Sequence, residues 1–260
     1  MQHLKIALIQ ADLVWQNAEQ NRINFSKKIN EITEHVDVIV LPEMFTTGFS
    51  MQPQKMAEYM LGDTVTWMQQ IASEKNTAIC GSIIISENKN FYNRFIFVHP
   101  EGKIEYYNKR HLFTLAGEHT VYTQGEEKII IEYKDWKICP LVCYDLRFPV
   151  WARNVEEYDV LLYVANWPKP RIAAWDTLLK ARSIENMCYT IGVNRVGNDA
   201  NNLEYSGHSG VYNCLGEEVV KAKPNKEETI IAVLEKNHIT ETRNKLNFLS
   251  DKDLFEIKGQ

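Results

Sequence analysis

Apolar residues fall along this chain in two rhythms. Residues 4–10 and 37–41 are near-continuous apolar runs of strand length, and between them Phe25, Ile29, Ile32 and Val36 recur at helical spacing. Asn17 stands where an N-cap belongs, so the spacing predicts a helix from there to about His35. The chain therefore opens β-α-β, the pattern of an α/β layer fold. A second helix starts at Gly62-Asp63-Thr64, with Val65, Met68, Ile71 and Ala72 on its inner face. A strand over 77–86 follows, then a hairpin of 91–98 and 103–107 turned by His99-Pro-Glu-Gly102. Residues 115–125 read as a polar loop.

The second half repeats the alternation. Residues 128–133 and 136–142 form a hairpin about Lys134-Asp135, a short helix is expected over 150–156, and a strand over 158–165. The spacing of Trp175, Leu178, Leu179 and Arg182 predicts a helix over 172–186, followed by a strand at 190–194. Residues 208–214 and 217–222 pair around Leu215-Gly216, and 229–234 is the last strand. The polar tail from about Ile239 is expected to pack on the core or to contribute to a dimer. Two β-α-β-rich halves meet near residue 110 without a sequence repeat or a linker. The expectation is one domain over 1–260, with two sheets and helices outside them.

Composition narrows the function classes. A net charge of −5 and a pI near 5.9 argue against a general binder of nucleic acid or anionic membranes. The 260 residues can bury a core without covalent staples, and the cysteines (80, 139, 143, 188 and 214) are odd in number and set mostly in apolar runs. That usage fits a reduced, cytoplasmic protein rather than a disulfide framework. The N-terminal apolar run is broken by Lys5, so no signal peptide is expected, and no apolar stretch nears the ~20 residues that span a bilayer.

Three strand ends carry residues of complementary chemistry. The apolar run 138–142 stops at Cys143, followed by Tyr144-Asp-Leu-Arg-Phe-Pro149, with the proline where a helix tolerates it. A thiol at a strand end facing a helix start can be held as thiolate, although a free cysteine is as often a small core residue. Glu43 follows the strand at 37–41 between Phe45 and Phe49, and Lys109 follows the strand at 103–107. Each alone reads more readily as a solvated surface charge. Together they make a nucleophile, a proton carrier and a cation for an oxyanion, with the backbone N–H of Tyr144 as a second donor. Acyl transfer of that kind needs no metal and no organic cofactor. Cys139 and Cys143 lack a second pair at zinc spacing, and Gly207-His-Ser-Gly210 lacks the spacing of a serine-hydrolase elbow. Asp145 and Arg147 are expected to form a buried ion pair bracing the turn.

Leu41-Pro-Glu-Met-Phe45, Tyr107-Asn-Lys-Arg-His-Leu-Phe113 and Leu141-Val-Cys-Tyr-Asp-Leu-Arg-Phe-Pro149 resemble, in order and flanking residues, the three motifs of the nitrilase, or carbon–nitrogen hydrolase, superfamily. The likeness continues through Asn166-Trp-Pro168, Ala181-Arg-Ser-Ile-Glu-Asn186, Asn194-Arg-Val-Gly197 and Gly207-His-Ser209. It implies a four-layer α-β-β-α sandwich, commonly paired into a homodimer, with Glu43, Lys109 and Cys143 as catalytic residues. Glu118, seven residues before Gly125, matches a second glutamate of many members that orients the lysine. Met44-Phe-Thr-Thr-Gly-Phe-Ser-Met51 and Asn166-Trp-Pro-Lys-Pro-Arg171 with Trp175 look like the omega-amidase branch, which hydrolyses the terminal amide of 2-oxoglutaramate or 2-oxosuccinamate. Such a substrate is a small anion, so a cation should meet its carboxylate. Arg171 is the candidate, with Trp167 and Phe45 as walls. Another amidase, a carbamoylase or a nitrilase would share the triad, and a non-catalytic scaffold would share the fold.

Overall fold

The alternation of inner and outer positions builds two stacked sheets. A computed structural model describes residues 2–253 and 255–257. The first sheet contains β1 (His3–Gln10), β2 (Val38–Val40), β3 (Ala78–Glu87), β4 (Asn90–Val98) and β5 (Ile104–Asn108). The second contains β6 (Ile131–Tyr133), β7 (Trp136–Val142), β8 (Val160–Ala165) and β9 (Tyr189–Asn194). After a small hairpin of β10 (Val196–Asn198) and β11 (Glu204–Ser206), β12 (Gly210–Tyr212) and β13 (Glu218–Lys221) complete the second sheet, and β14 (Glu228–Glu235) returns to the first. The strand orders are β14-β1-β2-β3-β4-β5 and β6-β7-β8-β9-β12-β13. Both run antiparallel, parallel, parallel, antiparallel, antiparallel. The two halves therefore share a topology that their residues do not repeat.

Period-two burial assigns the faces. Leu4, Ile6 and Leu8 of β1 with Val38 and Val40 of β2 point between the sheets, against Ile131, Trp136 and Ile138. Ala7, Ile9, Ile39 and Ile79 point outward, onto Phe25 and Ile29 of α1 (Ala18–Asn30) and the predicted stripe Val65, Met68, Ile71 and Ala72 of α3 (Asp63–Lys75). A single turn, α2 (Pro53–Met56), lies between these helices in sequence. On the far side, α5 (Ile172–Asn186) packs Trp175 and Leu179 onto β9. The layers run helix, sheet, sheet, helix. No helix among the described residues is long and apolar enough to cross a membrane.

Several expected bounds shift for local reasons. Asn17 caps α1, its side chain accepting from Gln20 N at 3.0 Å, but the helix stops at Asn30 rather than near His35. The helix expected over 150–156 is only one turn, α4 (Pro149–Ala152). Asn154 ends it: buried, it takes the Tyr158 N–H at 2.9 Å and donates to the Tyr158 and Asn186 carbonyls, bonds that a helical position could not make. The pair expected over 208–222 shortens around a register shift at Val211 and Tyr212. The tail forms α6 (Lys236–Leu246), which lies on its own chain. Ile239 is buried, and Arg243 donates to the carbonyls of Tyr158 and Met187 at 2.6 and 2.9 Å. Residues 254 and 258–260 of the expected tail lie outside the described residues.

Gly192 of β9 lies beneath α5. A Cβ there would fall 2.5 Å from Leu179 and 2.6 Å from Trp175. Gly192→Ala should therefore lift the helix and cost about 1–3 kcal/mol. A thermal melt that matches the parent protein would refute this packing.

Candidate active site

The site collects where strands of both sheets end. β2 runs into Leu41-Pro42, and Glu43 follows before Met44 turns the chain at a φ of 42°. β5 ends at Asn108, and Lys109 is held in line because its N–H donates to the Asn93 carbonyl at 3.0 Å and its carbonyl accepts from Gly125 N at 2.9 Å. Gly125 cannot carry a side chain, since a Cβ would lie 2.1 Å from the Asn108 carbonyl oxygen. β7 ends at Val142, and Cys143 sits at a φ of 45°. That left-handed conformation is costly for a residue with a side chain, and its surroundings must enforce it.

Asp145 supplies the enforcement. One of its carboxylate oxygens accepts from Val142 N at 2.9 Å and from the Tyr107 hydroxyl at 2.8 Å. The other accepts from the backbone and ring N–H groups of His111 at 2.9 and 2.7 Å. The same buried side chain thus folds the cysteine turn and ties it to the segment that carries Lys109. The expected Asp145–Arg147 ion pair does not form. Asp145 is saturated by these four donors, and Arg147 turns instead into the cavity, over the Trp167 ring at 4.9 Å.

Glu43, Lys109 and Glu118 meet in the interior. Lys109 Nζ lies 3.0 Å from Glu43 Oε1 and 3.0 and 2.9 Å from the two oxygens of Glu118. Asn93 Nδ2 also donates to Glu43 Oε1, at 2.7 Å, and the backbone N–H of Asn166 donates to Oε2 at 2.8 Å. Glu118 lies in a 3-10 turn, Glu118–Thr120, and takes a further N–H from Phe113. Burial works against the Lys109 charge, yet the carboxylates of Glu118 and Glu43 hold its pKa above the ordinary lysine range. Burial pushes the Glu118 carboxyl up; Lys109 pulls it down, and the Glu43 charge pushes it further up. The Cys143 thiol is pushed well up, first by burial and then by Glu43, which also accepts its hydrogen bond, while Lys109 pulls it down.

A cavity of about 250 Å³ opens onto Cys143. Tyr144, Trp167, Arg171 and Lys109 line it, as do Phe49 and Arg147, and its far wall is the β10–β11 hairpin with Asp199 and Tyr205. Phe45 does not line it. That ring is turned to the opposite face of the first sheet and packs edge-on against Phe25 at 5.6 Å and near Trp67 at 5.9 Å. Phe49 takes the expected place. Neither Arg147 nor Arg171 has a carboxylate partner among the described residues. Arg171 lies over Phe113 at 5.2 Å, whereas both Asp199 oxygens are occupied, by the Asn201 and Leu203 N–H groups and the Tyr205 hydroxyl. One end of the cavity thus holds a buried cluster richer in carboxylate than in cation, and its wall carries two uncommitted guanidinium groups.

Sequence reasoning missed Asn93, Arg147 and the hairpin wall. Asn93 had a signal: Tyr92-Asn93-Arg94 interrupts an apolar strand, and a buried amide there requires partners.

Comparison with known proteins identifies the family. A family model for carbon–nitrogen hydrolases matches residues 5–244. The chain is 44% identical to the omega-amidase YafV of Escherichia coli K12 over 99% of this chain and 100% of that protein. It is 33% identical to a 2-oxoglutaramate amidase of Bacillus subtilis 168, covering 96% and 98% of the two chains. The crystal structure of XC1258 from Xanthomonas campestris, a CN-hydrolase superfamily protein with an arsenic adduct in its active site, superposes with a TM-score of 0.97 at 39% identity, covering 99% and 100% of the two chains.

The opposed charges around the thiol predict two opposite shifts. Glu43→Gln removes a negative charge, so the rise of Cys143 alkylation by iodoacetamide with pH should move to lower pH. Lys109→Met removes the cation and should move it to higher pH. Shifts of the same sign in both variants would contradict the described electrostatics.

Proposed function

The chain belongs to the carbon–nitrogen hydrolase family and is a cysteine-dependent hydrolase of C–N bonds; we propose that it acts as an omega-amidase on the terminal amide of 2-oxoglutaramate or 2-oxosuccinamate. The observation that carries the substrate class is the charge layout of the cavity. An anionic substrate cannot turn its carboxylate toward Glu43 and Glu118, and two unpaired arginines wait on the wall. Its amide end is thereby directed at Cys143. The full-length likeness to an omega-amidase and to a 2-oxoglutaramate amidase supports the same reading.

In the mechanism we propose, the thiol rests protonated because its pKa is raised, so Glu43 takes the proton as sulfur attacks the amide carbon. Lys109, kept charged by its two carboxylates, and the Tyr144 N–H stabilise the oxyanion. Glu43 returns the proton to nitrogen, ammonia leaves, and a thioester remains on Cys143. Water deprotonated by Glu43 then attacks the thioester, releases the 2-oxo diacid and restores the thiol. Glu118 holds Lys109 through both of its carboxylate oxygens. Arg147 and Arg171 bind the remote carboxylate, with Trp167 and Phe49 as apolar walls.

We also infer a homodimer. Val150 of α4 and Ile184 of α5 are 55% and 48% exposed, apolar side chains that a second copy could cover. Light scattering at the monomer mass, 30.2 kDa, across micromolar concentrations would reject it.

Ammonia release should be measured with 2-oxoglutaramate, glutamine, asparagine and an aliphatic nitrile. We expect turnover of the oxo-amide and its loss in Cys143→Ala. Arg147→Gln and Arg171→Gln should each raise KM about 10- to 100-fold, the scale of one charge-assisted hydrogen bond, with a smaller change in kcat. Equal turnover of glutamine, or an unchanged KM in both arginine variants, would remove the substrate assignment and leave the thiol chemistry standing.

A further inference from the structure

The geometry points to Asn93, on β4, as a positioning residue that sets which oxygen of Glu43 carries the proton. The inference rests on the reading of Glu43 as the base. Asn93 is fully buried in the first sheet, and its amide is locked in one sense by a closed circuit. Met44 N, the first N–H after Glu43, donates to Ser82 Oγ at 2.9 Å. The Ser82 hydroxyl, with that acceptor site filled, donates to Asn93 Oδ1 at 2.8 Å. Asn93 Nδ2 then donates to Glu43 Oε1 at 2.7 Å. The circuit starts and ends on one residue pair, and each donor fixes the direction of the next.

The consequence is an asymmetric carboxylate. Oε1 accepts from both Asn93 and Lys109, so its two lone pairs are committed. Oε2 accepts only the Asn166 N–H among these groups, and keeps a lone pair for the proton of Cys143. Asn166 completes the grip from the other side, its Nδ2 donating to the Glu43 carbonyl at 2.6 Å. Asn93 also reaches Lys109 through its main chain, by the 3.0 Å bond from Lys109 N to the Asn93 carbonyl. One residue of β4 thereby sets base and cation relative to each other without touching the substrate cavity.

The charged and titratable groups around Glu43 are Lys109 after β5, Glu118 and Tyr122 in the loop that follows, and Cys143 after β7. None of them is substituted in the test, and the one further contact with them that Asn93→Ser removes is the longer one from Asn93 Nδ2 to Glu118 Oε1, at 3.5 Å. Asn93→Ser removes the donor to Oε1, and Ser82→Ala frees the Asn93 amide to rotate. A carboxylate that loses a donor holds its proton more tightly, so the acid limb of kcat/KM should move to higher pH in both. Asn93→Ser should lower kcat about 10- to 100-fold, and Ser82→Ala about 3- to 10-fold, with KM near the parental value. Full pH profiles and melting curves of the two variants decide the matter. Parental kcat and an unmoved acid limb would overturn the inference. So would a loss of activity that follows the melting temperature alone while the limb stays in place. If Asn93→Ser does not fold, Ser82→Ala decides by itself. Glu43→Gln is run beside them: parental turnover there would remove the reading of Glu43 as base, a result distinct from failure of the Asn93 circuit.

Discussion

A lysine ammonium buried between two carboxylates is the constraint on which the rest of this structure depends. Lys109 and Glu118 are essentially sealed from water, and so is Glu43. Taking such charges out of solvent is expensive, and each stays in place only because the others do. Glu43, after β2, is distant in sequence from Lys109, after β5, and from Glu118 in the loop that follows it. Their mutual need therefore fixes how the ends of those segments approach one another. Leaving any one alone would strand an uncompensated charge in the interior, which links the integrity of the fold to the integrity of its reactive centre.

The cysteine turn is built on the same principle with a different group. Its strained backbone is held by Asp145, which has no free lone pair left for chemistry. The stacking of His111 on Phe148 at 3.6 Å fixes the imidazole that donates to it. Rigid polar ties on the inner side of the site contrast with its outer wall. There arginines lie over aromatic faces and keep their N–H edges available. Reaction geometry and substrate charge are thus handled by separate sets of residues.

Much of this was legible in the residues, for identifiable reasons. Strand and helix periods gave both sheets, and the helix at Ile172–Asn186 to the residue, because an amphipathic stripe with a clear end leaves little choice. Their positions at strand ends grouped Glu43, Lys109 and Cys143, and the family resemblance added Glu118. Helix ends at Asn30 and Ala152 were not legible, since they depend on side chains that bond across the chain, as Asn154 does with Asn186. Phe45 was misjudged because a position after a strand does not say which face its ring will take. Arg147 was assigned to Asp145 on proximity in sequence, while the four donors that saturate that aspartate come mostly from residues 107–111. The shared strand order of the two halves was invisible because their side chains do not repeat and β14 joins the first sheet from beyond the second.

That last strand has a consequence for how the protein is made. β1 is an interior strand, paired on one side with β2 and on the other, over eight residues, with β14. During translation the first of these partners emerges early and the second only after the whole of the second sheet has been made. Until then the nascent first sheet carries an open row of N–H and C=O groups along β1, a template for wrong pairing. Closure of the first sheet is therefore a pairing of very long sequence separation, slow by its loop entropy. The cell must shelter an unfinished edge for the time it takes to synthesise the strands and helices in between.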